Sequence, residues 1–150
     1  MLKRILKWLG IAIALFVLLV IVIFGTTRCS AGKYDPPVSK LAAELVPLLS
    51  TGDAEHIRRF FVPEALPEDV KEVDKYLKAY QKLGKYKSHG TPVFKTIRKI
   101  TGAPYSTQID YEIPAEFEAG PALISATFVP RDDGSLGIWW LHVTSDAFLK

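Results

Sequence analysis

Seventeen consecutive residues, Trp8 to Phe24 (WLGIAIALFVLLVIVIF), carry no charge and no strongly polar side chain. As a helix rising about 1.5 Å per residue they span roughly 25 Å, and their flanks bring them near the ~30 Å hydrocarbon core of a bilayer. Everything after Gly25 is a polar–apolar mixture of globular type. The run therefore divides the chain into residues 1–25 as a transmembrane signal anchor, 26–37 as a flexible linker and 38–150 as one folded domain.

A removed signal peptide is the competing reading. Such peptides carry an apolar region of about 7–15 residues and a small-x-small cleavage site. The run here is longer, which favours retention, although Cys29-Ser30-Ala31 fits the cleavage pattern. Arg28, directly before Cys29, argues against lipidation of that cysteine. Lys3, Arg4 and Lys7 precede the run with no acid among them, while Arg28, Lys33 and Lys40 beyond it are more dispersed and diluted by Asp35. The positive-inside bias puts the N-terminus in the cytoplasm. The expectation is a single-pass protein of the inner (cytoplasmic) membrane with a periplasmic or otherwise extracytoplasmic C-terminal domain.

Charge is read after the anchor is set aside. The chain has nineteen basic and sixteen acidic residues and a net charge of +3. Residues 1–33 hold five of the bases and none of the acids, which leaves a net −2 for the rest. The basic balance belongs to the anchor, and a nucleic-acid partner is disfavoured. The single cysteine, Cys29, has no intramolecular partner, and the absence of asparagine removes any N-glycosylation site.

Gly25 to Pro37 (GTTRCSAGKYDPP) has no periodicity and reads as a linker with a reach of at most about 45 Å. A first helix is predicted over Val38–Leu49, bent or ended by Pro47. Asp53 is placed to cap a second helix over Ala54–Phe61. Pro67-Glu68-Asp69 opens a third, running to about Leu83 with Gly84 as its C-terminal cap. Val70, Val73, Leu77 and Tyr80 form its apolar stripe. Lys71, Lys75, Lys78, Lys82 and Lys85 form a basic stripe on nearly the opposite side. Beyond Gly90 the pattern changes to strands: Thr91–Thr101, Tyr105–Ile113 in strict alternation, Ala122–Val129 and Leu136–Thr144. Pro114 and Gly120-Pro121 mark a bulge or break, and Arg131–Ser135 a hairpin turn.

Three helices followed by four strands make an α+β domain. Leu48-Leu49-Ser50-Thr51-Gly52-Asp53-Ala54-Glu55 resembles the first helix-turn-helix of the NTF2-like (cystatin-like) superfamily. The stretch from Tyr111 to Val143, with Phe117-Glu118-Ala119-Gly120-Pro121-Ala122 and a late Gly-x-x-Trp strand, is similar as well. The resemblance covers about 105 residues and points to the small membrane-anchored or secreted members of unassigned function. It implies a cone in which three helices pack on a curved antiparallel sheet; the four strands read here are fewer than the family pattern, a departure that would leave the cone shallow. It implies a fold and no particular activity.

No chemistry-bearing constellation stands out. His56, His89 and His142 lack metal-ligand spacing, and no cofactor motif or phosphate-binding glycine loop is present. Asp110 and Glu112 share a strand face, and paired carboxylates can split their pKa values for acid–base work. They alternate with Ile109, Tyr111 and Ile113, which puts them on the solvent side. Isomerases and dehydratases of the resembled group use an inward Asp or Asp–His pair. The surface is more telling. Lys71 to Lys99 holds nine bases against Glu72 and Asp74, while Asp110 to Asp133 holds six acids against Arg131. Such a dipolar domain, tethered to a bilayer, suits contact with an acidic partner or anionic lipid head groups. Trp139 and Trp140 should point to opposite faces of a regular strand, one of them into the core; an exposed aromatic commonly marks a contact. The expected function is a non-catalytic binding or assembly module, an accessory subunit of a larger membrane complex or a self-associating one. Its candidate interaction surface is Lys71, Lys75, Lys78, Lys82, Lys85, Trp139 and Trp140. The alternatives are a cone holding a small apolar ligand and an isomerase- or hydratase-like enzyme.

Overall fold

The structure, a computed structural model, describes residues 32–67 and 70–149, the backbone alone at 70–72. The apolar run Trp8–Phe24, Cys29 and residues 26–31 of the expected linker lie outside the described residues. Among the described residues no helix is long and apolar enough to cross a membrane. The chain divides into two compact units, Met1–Tyr34 and Asp35–Lys150. In the first, the Lys33 ammonium sits 4.6 Å from the centre of the Tyr34 ring.

In the second unit, helix α1 spans Asp35–Leu49 and so begins before Val38. Asp35, Pro36 and Pro37, expected in the linker, form its first turn. Prolines fit there because the first helical N–H groups have no partner to lose, and a carboxylate suits the positive end of the helix dipole. Pro47 lies close enough to the C-terminus that the helix simply ends at Leu49, with Ser50 Oγ donating to the Pro47 carbonyl at 3.3 Å. Val38, Ala42, Leu45, Val46 and Leu49 form a fully buried stripe.

Helix α2 is shorter than the apolar pattern suggests. It spans Ala54–Arg58, capped by Asp53, whose carboxylate accepts the His56 N–H at 3.1 Å. Phe60–Val62 are drawn away from the helix by the sheet. The Val62 N–H donates to the Ile138 carbonyl at 3.0 Å, and the Ile138 N–H to the Phe60 carbonyl at 2.8 Å. Arg131 secures the same segment, its Nη2 donating to the carbonyls of Arg59, Phe60 and Phe61 at 3.4, 3.2 and 3.1 Å. After a 3-10 turn at Pro63–Ala65, helix α3 spans Val70–Ala79 and tightens into a 3-10 turn at Tyr80–Leu83. Gly84, at φ 70°, ends it as the sequence predicts.

The sheet has five antiparallel strands, not four: β1 Tyr86–His89, β2 Val93–Lys99, β3 Thr107–Phe117, β4 Gly120–Pro130 and β5 Leu136–Thr144. β3, β4 and β5 form a meander. β1 and β2 both pair with β3, β1 at its end (His89 opposite Ala115) and β2 at its start (Val93 opposite Glu112). Pro114 accounts for the interruption. It lacks an N–H, so the strand beside it has nothing to accept from at that point. Its carbonyl still takes the Gly90 N–H at 2.8 Å. The approach is so close that a Cβ on Gly90 would lie 2.9 Å from Pro114 Cγ. β3 itself runs through Pro114 unbroken, paired with β4 on its other side.

Alternation along β3 and β4 turns Ile109, Tyr111, Ile113, Phe117, Ile124 and Phe128 inward, and all are buried. Their rings meet edge-on: Phe94–Tyr111 at 5.6 Å, Tyr111–Phe128 at 6.0 Å and Tyr86–Phe117 at 6.0 Å between centroids. Burial of each such side chain stabilises the fold by roughly 1.5–3 kcal/mol. A hydrogen bond from the Tyr111 hydroxyl to Asp35 Oδ1 ties the sheet to the first turn of α1.

Candidate interaction surface

Helix α3 separates its faces by period. Leu77 is buried, while Lys75, Lys78 and Lys82, three and four residues apart, are exposed on the side turned away from it. None of the three forms an ion pair with a described side chain. Lys85 lies past the Gly84 cap, where its backbone N–H donates to Glu118 Oε2 at 3.3 Å; its side chain is exposed. It therefore leads into β1 rather than extending the helical ridge. The side chain of Lys71 lies outside the described residues. Asp74, one of two acids on this helix, is turned to Arg58, 3.6 Å away, and the side chain of the other, Glu72, lies outside the described residues.

The tryptophans do not divide between core and surface. Thr127 pairs with Trp140 and Phe128 with Ile138, so Trp139 is the extra residue of a β-bulge. A bulge shifts the alternation by one, and neither ring enters the core. Trp140 is 50% exposed, and Trp139 is half-buried against Tyr105, their centroids 5.8 Å apart. Both line one cleft of about 390 Å³ on the open face of the sheet, with Arg98, Gln108, Asp110 and Thr127. Trp140 stacks on His142 at 5.7 Å and 17°.

None of the candidate lysines is among the residues that line the tryptophan cleft. A further groove of about 200 Å³ is walled by Val73, Tyr76, Leu77 and Tyr80 of α3 and its following turn, by Phe61, and by Leu141 and His142 of β5. Tyr76, 66% exposed, stands on its rim. Burial raises the Tyr80 hydroxyl above the usual phenol range, opposed by the N–H of Val143.

The paired acids of β3 stand on the outer face, as their alternation with Ile109, Tyr111 and Ile113 predicts. Each is engaged by a cation of β2. Lys95 Nζ is 2.9 Å from Glu112 Oε2, and Arg98 Nη2 is 2.9 Å from Asp110 Oδ1. The Thr127 hydroxyl also donates to Asp110 Oδ1, at 2.7 Å. The histidines are dispersed: His56 Nδ1 lies 2.6 Å from Asp53 Oδ2, His89 Nδ1 lies 2.9 Å from the Gly90 carbonyl, and His142 lies under Trp140. Among the described residues no three metal-ligating side chains gather.

Sequence reasoning missed Gln108 and its cleft. The signal was there in part: Gln108 and Asp110 share a strand parity, and so do Trp140 and His142. The register that places Thr127 between Asp110 and Trp140 is a tertiary fact. The chain matches no family model and no curated protein.

Proposed function

We propose that the protein is a membrane-tethered, non-catalytic binding or assembly module, an accessory subunit whose NTF2-like domain docks on the acidic surface of a membrane-associated partner. The observation that carries the reading is the ridge of Lys75, Lys78 and Lys82, exposed and without a carboxylate partner among the described side chains. Three exposed ammonium groups along α3 and the turn that follows it attract anions in concert, and a tether at the bilayer raises their local concentration there. The uncharged run Trp8–Phe24 supports the tether, with the N-terminus in the cytoplasm and the domain outside. The α+β architecture, an antiparallel sheet backed by three helices, is compatible with the NTF2-like assignment. The inner face of the sheet is occupied by packed aromatic rings, which favours a docking role over storage of an apolar ligand.

The test combines gentle detergent extraction, cross-linking and mass spectrometry with the triple variant Lys75→Glu, Lys78→Glu, Lys82→Glu. Loss of a co-isolated protein, with vesicle binding unchanged, supports the reading. Loss of binding to anionic vesicles alone would move the contact from a protein to lipid head groups. Unchanged recovery of partners and unchanged vesicle binding removes the role of the ridge. A C-terminal alkaline phosphatase fusion checks the topology and should be active.

A further inference from the structure

The open face of the sheet holds a cleft that the docking role does not use, and its chemistry is specific. Gln108 is only 7% exposed, yet its side-chain amide makes no hydrogen bond to any described group. An amide carries two donors and one acceptor, and burying them unmet is costly. Asp74 Oδ1 is the sealed, unsatisfied side-chain atom among the described residues, so the Gln108 amide is not sealed. Its access is the cleft that it lines with Arg98, Asp110, Thr127, Trp139 and Trp140.

Beside it, Asp110 Oδ1 is saturated by Arg98 at 2.9 Å and Thr127 at 2.7 Å, while Oδ2 keeps its lone pairs. The carboxylate and the guanidinium cancel, so the cleft offers no net charge to a cation or an anion. Trp140 supplies a flat apolar plate, 50% exposed and braced from one side by the parallel His142 ring. Among the described residues the ring stacked on Trp140 is His142, while Trp139 meets Tyr105 edge-to-face. A planar heteroaromatic gains most from a sandwich between two plates; a ring with one apolar face and equatorial hydroxyls needs only one.

We propose that this cleft is a binding site for a neutral saccharide. One pyranose ring stacks its C–H face on Trp140. A hydroxyl, being donor and acceptor at once, donates to Asp110 Oδ2 and accepts from the Gln108 amide. The indole stacking supplies affinity, and the amide–carboxylate pair supplies orientation. At about 390 Å³ the cleft has the size of a small-molecule site.

The experiment uses the full chain in a zwitterionic detergent, because glycosidic detergents would compete. Cellotetraose, maltotetraose and tetra-N-acetylchitotetraose are titrated separately, followed by tryptophan emission and by calorimetry. Saturable binding of at least one is expected. Trp140→Ala and Gln108→Ala should each weaken it roughly tenfold, the order of one aromatic face or one oriented polar contact. Leu123→Ala, exposed on the same sheet face but outside the cleft, should leave it unchanged. Trp140→Phe retains a smaller plate and covers the case in which the alanine variant does not fold. The site is refuted if none of the three sugars saturates, if both cleft variants bind as the parent does, or if adenosine or glucose 6-phosphate binds there in their place. The lysine-ridge triple variant should bind the sugar normally, so failure of either proposal is read separately.

Discussion

The hydroxyl of Tyr111, midway along β3, donates to Asp35 Oδ1 at 2.6 Å across 76 positions of sequence. Tyr111 is almost wholly buried, whereas Asp35 is exposed in the first turn of α1. The bond therefore fixes where α1 begins relative to the inner face of the sheet. Tyr111→Phe keeps the buried ring and removes the donor. It should cost about 1.5–3 kcal/mol, the range for a hydrogen bond to a charged group. Urea unfolding would show this as a lower midpoint at unchanged slope; an unaltered midpoint would mean that the bond contributes nothing net.

Gly90 meets Pro114 where β1 gives way to β2. A methyl group there must push against the proline ring, 2.9 Å away, and against the strand that holds it. Gly90→Ala should destabilise by about 1–3 kcal/mol, as overpacking does. The double change Gly90→Ala with Pro114→Ala should recover part of the loss, because the second substitution removes the ring. Additive losses in that cycle would exclude the contact as the cause.

Arg131 reaches from the β4–β5 turn to three successive carbonyls after α2. Arg131→Ala leaves the Phe60–Val62 segment held to β5 by its backbone bonds alone. We expect a loss of about 1–2 kcal/mol and faster amide exchange at Val62 and Ile138, the two groups whose N–H bonds bridge the segment to the strand. Unchanged exchange at both would show that the guanidinium does not secure that junction.

Two carboxylates tie stability to acid. Asp53 lies below its ordinary value of 3.8, first through the backbone N–H of His56 and then through its ring. Asp133 lies below 3.8 because the Ser135 hydroxyl and backbone N–H both donate to it. A group with a lowered folded-state value binds fewer protons folded than unfolded. Its contribution is complete above the unfolded value and disappears as pH falls through the folded one. Thermal midpoints should therefore decline below about pH 4, and Asp53→Asn with Asp133→Asn should flatten that decline. An acid limb as steep in the double variant would assign the sensitivity to other groups.

Trp140→Ala and Phe128→Ala should separate surface from core. The first removes a ring that is 50% exposed and should change stability little; the second opens a fully buried site and should cost about 3–5 kcal/mol. Comparable losses in chemical denaturation would place Trp140 in the core after all.

Much of the fold is legible in the residues themselves. The stripe Val38, Ala42, Leu45 and Leu49, the Asp53 cap, the Gly84 stop, the alternation from Ile109 to Ile113 and the Arg131–Ser135 turn all act within one or two turns of chain. Helix period, cap chemistry and strand parity are local physics, so they survive in any context that lets them form. The same parity put Asp110 and Glu112 on the outer face.

What escaped the sequence depends on partners far along the chain. The early end of α2 follows from bonds between Phe60–Val62 and Ile138. The division into β1 and β2 follows from a proline on a neighbouring strand. One of Trp139 and Trp140 was expected in the core; the bulge at Trp139 made both of them walls of the open-face cleft, and register alone brought Gln108, Asp110, Thr127 and Trp140 together. Local sequence determined the buried helix stripe, the caps and turns, and the sidedness of β3. Only the tertiary structure decided which strands interrupt one another and which side chains share a cleft, because those outcomes rest on hydrogen bonds and steric contacts between segments that no local periodicity encodes.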